Sequence, residues 1–173
     1  MNPLAARLKQ PDQRSCGAAS VTMAAALADP AYADRVAVQE SFGREVLRRH
    51  RELTSFRPEA GWQVPWPRFI GTPPWAVARA LTAITGRRHR TRLVRFRTTV
   101  RPVERLSAVY VGSALLPRHV VLVVDPGAPG SDDAVRVYDP ARGRVVDLTD
   151  FRRWTTRWFA VTPSRPSTPR SPA

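Results

Sequence analysis

Gln10-Pro11-Asp12-Gln13-Arg14-Ser15-Cys16-Gly17-Ala18-Ala19-Ser20 contains the single cysteine of the chain. Pro11 and the polar run to Ser15 oppose regular structure, and small residues follow, so loop is expected to become helix at Cys16. Ser15 or Asp12 is placed to cap that helix. A thiol at a helix N-terminus sits at the positive end of aligned peptide dipoles, which favours the thiolate. Gln10, six residues earlier, carries an amide that can donate to a developing oxyanion. Cys16 is therefore the candidate nucleophile, and it requires a base and a group to orient that base.

The helix that begins at Cys16 or Gly17 runs to about Ala28. Ala18, Ala19, Ala24, Ala25 and Ala26 are small almost all round it, with Val21, Met23 and Leu27 adding bulk. So little polar face predicts burial on most sides. Asp29-Pro30 ends it. A second helix is expected from Val36 to Leu53, with Phe42, Val46 and Leu47 inward and Arg44, Arg48, Arg49, Arg51 and His50 toward solvent. Phe56 to Gly71 holds Pro58, Pro65, Pro67, Trp62 and Trp66. It reads as a long ordered loop whose tryptophans pin it to the body, the alternative being that they line a substrate groove. Thr72-Pro73-Pro74 starts a third helix, with Thr72 as cap and Pro at the first position. That helix continues through Trp75 and Leu81 to Ile84 and stops at Gly86. His89, inside Arg87-Arg88-His89-Arg90, reads as part of a solvated turn.

Beyond this the apolar period changes to two. Strands are expected over Arg92 to Thr98, Leu106 to Leu116, His119 to Val124, Val135 to Tyr138, Val145-Val146 and Trp158 to Val161. Short helical turns fall near 100–105 and 149–154. Helices first and antiparallel strands second predict an α+β fold, a helical N-terminal part packed on a C-terminal sheet. Residues 1–162 form one domain, and the Pro-, Ser- and Arg-rich 163–173 a disordered tail.

Of the three histidines, His119 opens an apolar strand and is the best candidate base. Asp125-Pro126-Gly127-Ala128-Pro129-Gly130-Ser131-Asp132-Asp133 is turn chemistry throughout. A turn symmetric about Pro129 sets Val124 opposite Ala134 and His119 opposite Asp139. Opposed residues share a face, so Asp139 is placed to hold one imidazole nitrogen and leave the other for the thiol. Val121, Val123, Val135 and Val137 have the same parity, which makes that face the core-like one; Arg136 and Tyr138 take the opposite face.

The 173 residues carry 28 Lys and Arg against 14 Asp and Glu, a net charge of +14 at pH 7. Lys9 is the only lysine, so coding bias accounts for arginine over lysine but not for the excess over acids. An acidic partner on the Arg-rich surface is one expectation; the scatter of the arginines makes a nucleic-acid track the lesser reading. One cysteine allows no internal disulfide. Without HExxH, paired cysteines or a Gly-rich phosphate loop, no metal and no cofactor is expected. No apolar run is long enough to span a bilayer, and Met1 to Lys9 lacks the apolar centre of a secretory signal. The expected compartment is the cytoplasm, with export lacking a cleavable signal left open.

Gln10, five residues, Cys16-Gly17, a small-residue helix, then His119 opening one strand and Tyr138-Asp139-Pro140 closing the next together resemble the papain-like cysteine peptidases. The closest branch is the bacterial, bacteriocin-processing (double-glycine leader) peptidases and their stand-alone relatives. The resemblance spans roughly Leu8 to Val161. It implies a helical lobe with the nucleophile, a sheet lobe with base and orienter, and a peptide or protein substrate between them. Carried over, Gln10 is the oxyanion donor, Cys16 the nucleophile, His119 the base and Asp139 the orienter. The expected activity is thiol hydrolysis of a peptide or related amide. Acyl transfer or deamidation by the same triad, as in a toxin or effector, and a non-catalytic basic binding module are the alternatives.

Overall fold

A computed structural model describes residues 2–55, 71–97, 99–100, 103–128, 134–151 and 154–164. The Trp62 and Trp66 loop and the tail from residue 165 lie outside the described residues.

Helix α1 (Cys16–Ala28) is buried continuously from Cys16 to Ala26. Its alanines let neighbours close in on every side, and α2, α3, α4 and the sheet all pack on it. Asp29 ends α1 and also begins the next helix. Its N–H bonds to the Ala25 carbonyl, while its side chain accepts from Ala31 N–H as cap of α2 (Pro30–Arg35). The sequence shows the stop; it does not show that the same Asp-Pro pair restarts a helix.

α3 (Gln39–Thr54) turns Phe42 and Val46 into the core. His50, expected at the surface, is buried on this helix at 6 % exposure. α4 (Pro74–Thr85) ends at Gly86, whose φ of 68° is the left-handed conformation that favours glycine. Its cap residue is Pro73, not Thr72. Thr72 turns instead toward α1, where a Cβ on Gly17 would stand 2.7 Å from Thr72 Cβ. Only glycine after Cys16 allows that approach.

Among the described residues six antiparallel strands follow, β1 (His89–Leu93), β2 (Ala108–Gly112), β3 (Pro117–Asp125), β4 (Arg136–Asp139), β5 (Arg144–Asp147) and β6 (Thr156–Pro163). Their order is β1-β6-β2-β3-β4-β5, so the last strand returns between the first two. The molecule is α+β. His89 is the first residue of β1 and is 6 % exposed, not part of a solvated turn.

Both faces of the sheet are buried. Ala108, Tyr110, Val120, Leu122 and Tyr138 join the core built on α1. Val109, Val111, Val121, Val123 and Val137 form a second core with Val94, Val100, Leu148 and Phe151. The face expected to carry Tyr138 outward is thus the one the helices cover. Ahead of α1, the lead-in bridges the two halves: Tyr138 Oη donates to the Leu8 carbonyl at 2.6 Å, and Gln10 N–H to the Pro140 carbonyl at 2.9 Å.

Candidate active site

Cys16 is the first residue of α1 and 5 % exposed. The first-turn N–H groups of a helix have no intrahelical acceptor, so the thiol stands beside free donors and the positive end of the helix. Asp12 shapes the loop before it. Its Oδ1 accepts from the N–H of Arg14 and of Ser15, each at 2.8 Å. Burial raises the Asp12 carboxyl, but these donors hold it below its ordinary value. Neither Ser15 nor Asp12 caps α1 through its side chain.

His119 lies near the start of β3, one residue after a register shift. Val111 pairs with His119, yet the next pair is Gly112 with Pro117, which leaves Arg118 bulged. Bulges re-aim neighbouring side chains at sheet ends. His119 Nε2 donates to Asp139 Oδ1 at 2.7 Å, with the two side chains 3 % and 2 % exposed. That leaves Nδ1 for Cys16.

The two residues are not directly opposed. β3 and β4 pair Leu122 with Tyr138 and Val123 with Val137, a register displaced by two from the symmetric-turn expectation. Continued, it sets Val121 opposite Asp139. On the turn side Asp125 pairs with Arg136, three residues from the symmetric expectation, so the connection is not centred on Pro129, and a one-residue shift between Val123 and Asp125 brings the displacement back to two. A displacement of two keeps the face, so Asp139 meets His119 along the diagonal, a contact long side chains can span. Asp139 is further fixed by Ala141 N–H at 2.9 Å and Arg142 Nε at 3.4 Å.

Burial pushes the His119 imidazole down. Hydrogen bonding to Asp139 and to Cys16, and the negative charge on each, outweigh it and lift the ring to about 9. Burial likewise raises the Asp139 carboxyl, but His119, Ala141 N–H and Arg142 leave it below its ordinary value. The arrangement favours an imidazolium held by the Asp139 carboxylate, with the Cys16 side chain as its other hydrogen-bond partner.

Three residues at this site escaped the sequence reading. The Trp154 ring packs on His119 at 4.8 Å between centroids, and Phe151 at 6.1 Å, while the two aromatics stack on each other at 11°. Apolar cover keeps competing water from the His119–Asp139 bond. Their spacing of three residues just after a strand was the available signal. Tyr110, on the α1 side of β2, donates its Oη to the Thr72 carbonyl at 2.9 Å. Burial, and then the charge on Cys16, push its phenol well up, which places it beside the thiol.

Gln10 is close to this group but differently engaged. Its Nε2 donates to the Asp12 carbonyl at 2.5 Å, and its Oε1 is buried with no partner among the described residues. A primary amide has a second N–H. Cys16, His119 and Asp139 are therefore brought together, whereas the Gln10 side chain bonds its own loop at Asp12 and only its backbone N–H meets the turn after Asp139, at Pro140.

No protein-family model matches the chain, and no curated protein matches it. Among solved structures it is similar to the peptidase domain of Streptococcus mutans ComA. The two are 15 % identical, the match covers 91 % of this chain and 97 % of that one, and the TM-score is 0.41. Among the described residues, no three His, Cys, Asp or Glu side chains gather to hold a metal ion. No described helix is long and apolar enough to cross a membrane.

Proposed function

We propose that the chain is a papain-like thiol hydrolase that cleaves a peptide or related amide bond. One observation carries the reading: a buried His119–Asp139 pair at 2.7 Å whose ring is lifted to about 9 by that carboxylate and by Cys16 at a helix start. The spacing of Gln10, Cys16-Gly17 and Tyr138-Asp139-Pro140, which resembles the bacteriocin-processing branch, makes a peptide the substrate class.

Cys16 thiolate attacks the carbonyl carbon, forming a C–S bond and an oxyanion. The Cys16 backbone N–H and a side-chain N–H of Gln10, turned from Asp12, stabilise that oxyanion. His119 imidazolium gives its proton to the leaving nitrogen as the C–N bond breaks. The neutral imidazole then takes a proton from water, whose oxygen attacks the thioester. The C–S bond breaks and the thiolate–imidazolium pair returns. Asp139 holds the ring in register throughout and stays ionised.

A thiol-directed peptidyl electrophile followed by mass spectrometry tests this. The expected result is one adduct on Cys16 in the folded chain and almost none in His119→Ala. Absence of an adduct in folded wild type, or equal labelling of the variant, contradicts the proposal.

A further inference from the structure

Arg44, Arg48 and Arg51 recur on α3 at spacings of four and three, which puts them on one face. Arg35, the last residue of α2, faces them across a groove of about 570 Å³ that Tyr32 and Glu45 also line. The wall thus carries four arginines against a single glutamate.

That glutamate is already engaged. Glu45 accepts from Arg48 Nε and an Arg48 guanidinium nitrogen at 2.8 and 2.7 Å, and from Tyr32 Oη at 2.8 Å. The Arg48 hydrogen bonds, against burial, pull its carboxyl down to about 2. It pins Tyr32 and Arg48, which also meets Glu52 at 3.5 Å, and it pairs with Arg49 at 3.3 Å, but it pairs with none of Arg35, Arg44 and Arg51. Arg35 lies over the Tyr32 ring at 5.0 Å. Arg51 has no ion pair among the described residues. Arg44 pairs with Glu40, but both are mostly exposed, so an incoming carboxylate can replace Glu40 at little cost.

The groove is also mechanically joined to the nucleophile loop. α3 begins at Gln39, whose Nε2 donates to the Lys9 carbonyl and whose Oε1 accepts from Lys9 N–H, both at 2.8 Å. Lys9 directly precedes Gln10.

We propose that this groove is an exosite that binds an acidic segment of the protein substrate. That the bound protein is a substrate rests on the thiol-hydrolase reading; the binding itself does not. Its concave form, with a tyrosine in the wall, suits carboxylate side chains entering from a peptide. A phosphate backbone wants a continuous basic track, and the other arginines are dispersed along the chain.

Fluorescence anisotropy of a labelled oligoglutamate peptide on the full chain tests it, with labelled oligothymidylate beside it. Binding is expected at low salt, weakening at high salt and equal in Cys16→Ala. The double variant Arg35→Gln/Arg51→Gln should bind about tenfold more weakly. A sheet control, Arg136→Gln/Arg144→Gln, should match wild type. Unchanged affinity in the groove variant overturns the proposal. So does oligothymidylate binding more tightly than oligoglutamate and being lost in that variant. A chain that binds oligoglutamate through the groove but forms no Cys16 adduct keeps the exosite and loses the hydrolase reading. A chain labelled at Cys16 that ignores oligoglutamate loses the exosite alone.

Discussion

His119 and His89 occupy comparable places and differ in nearly every consequence. Each sits at or near the start of a strand of one sheet, and each is buried, at 3 % and 6 % exposure. His89 Nδ1 meets the Arg87 carbonyl at 2.8 Å, and its Nε2 is buried with no partner among the described residues. Burial accordingly pulls its pKa down. His119 has a carboxylate on one nitrogen and a thiol for the other, and its pKa rises to about 9. Burial alone pulls an imidazole toward its neutral form; burial with a carboxylate and a cysteine as hydrogen-bond partners makes an imidazolium suited to proton transfer.

The largest expected effect is the contrast in activity between the two. His119→Ala should lower turnover of a cleaved peptide about 10³-fold. His89→Ala should leave it within about twofold, its cost appearing as a lower Tm. Equal losses of turnover in steady-state assays would erase the distinction. Gln10→Ala should lower kcat about 10²-fold with little change in KM, if its free N–H meets the oxyanion. An unchanged kcat would leave Gln10 with its loop role only.

Asp139→Asn keeps a hydrogen-bond acceptor but removes the charge. Turnover should fall about tenfold, and the alkaline limb of the pH–rate profile should move below 9. The reason is one of sign. His119 is protonated below its folded value of about 9, and deleting the carboxylate removes a cause that raises that value. The same shift bears on stability. Its contribution is fully present below the ordinary 6.5 and is lost as pH rises through about 9. Chemical denaturation across that interval should show wild type losing more stability than Asp139→Asn. The smallest effect is that of Trp154→Ala. It should cost about 1 kcal/mol of ring packing beyond the buried area and lower turnover severalfold by wetting the His119–Asp139 bond.

The site was legible where local chemistry decides and obscure where long-range packing does. The Cys16 helix start, the Gly86 stop and the common parity of His119 and Asp139 follow from residue type and period. The register between them depends on an off-centre connection and a bulge near Val124 that no local pattern announces, and the common face holds because a displacement of two preserves it. The arginines around His50 and His89 point them to solvent, yet both are buried. Arginine stems cover apolar ground while their heads reach water, so a basic run can still bury the residue between. Thr72 looked like a helix cap because Thr-Pro-Pro suits one, but contact with Gly17 takes its side chain elsewhere. The apolar cover of His119 was hidden for a related reason: Phe151 and Trp154 reach it from a segment more than thirty residues later in the chain.

The most direct test is an NMR titration of the three histidines in wild type, Asp139→Asn and Cys16→Ala. His119 should titrate near 9 in wild type and fall in both variants, while His89 stays below its ordinary value in all three. A His119 that titrates at or below 6.5 in wild type, or that ignores both substitutions, would contradict the claim that Asp139 and Cys16 make it the base.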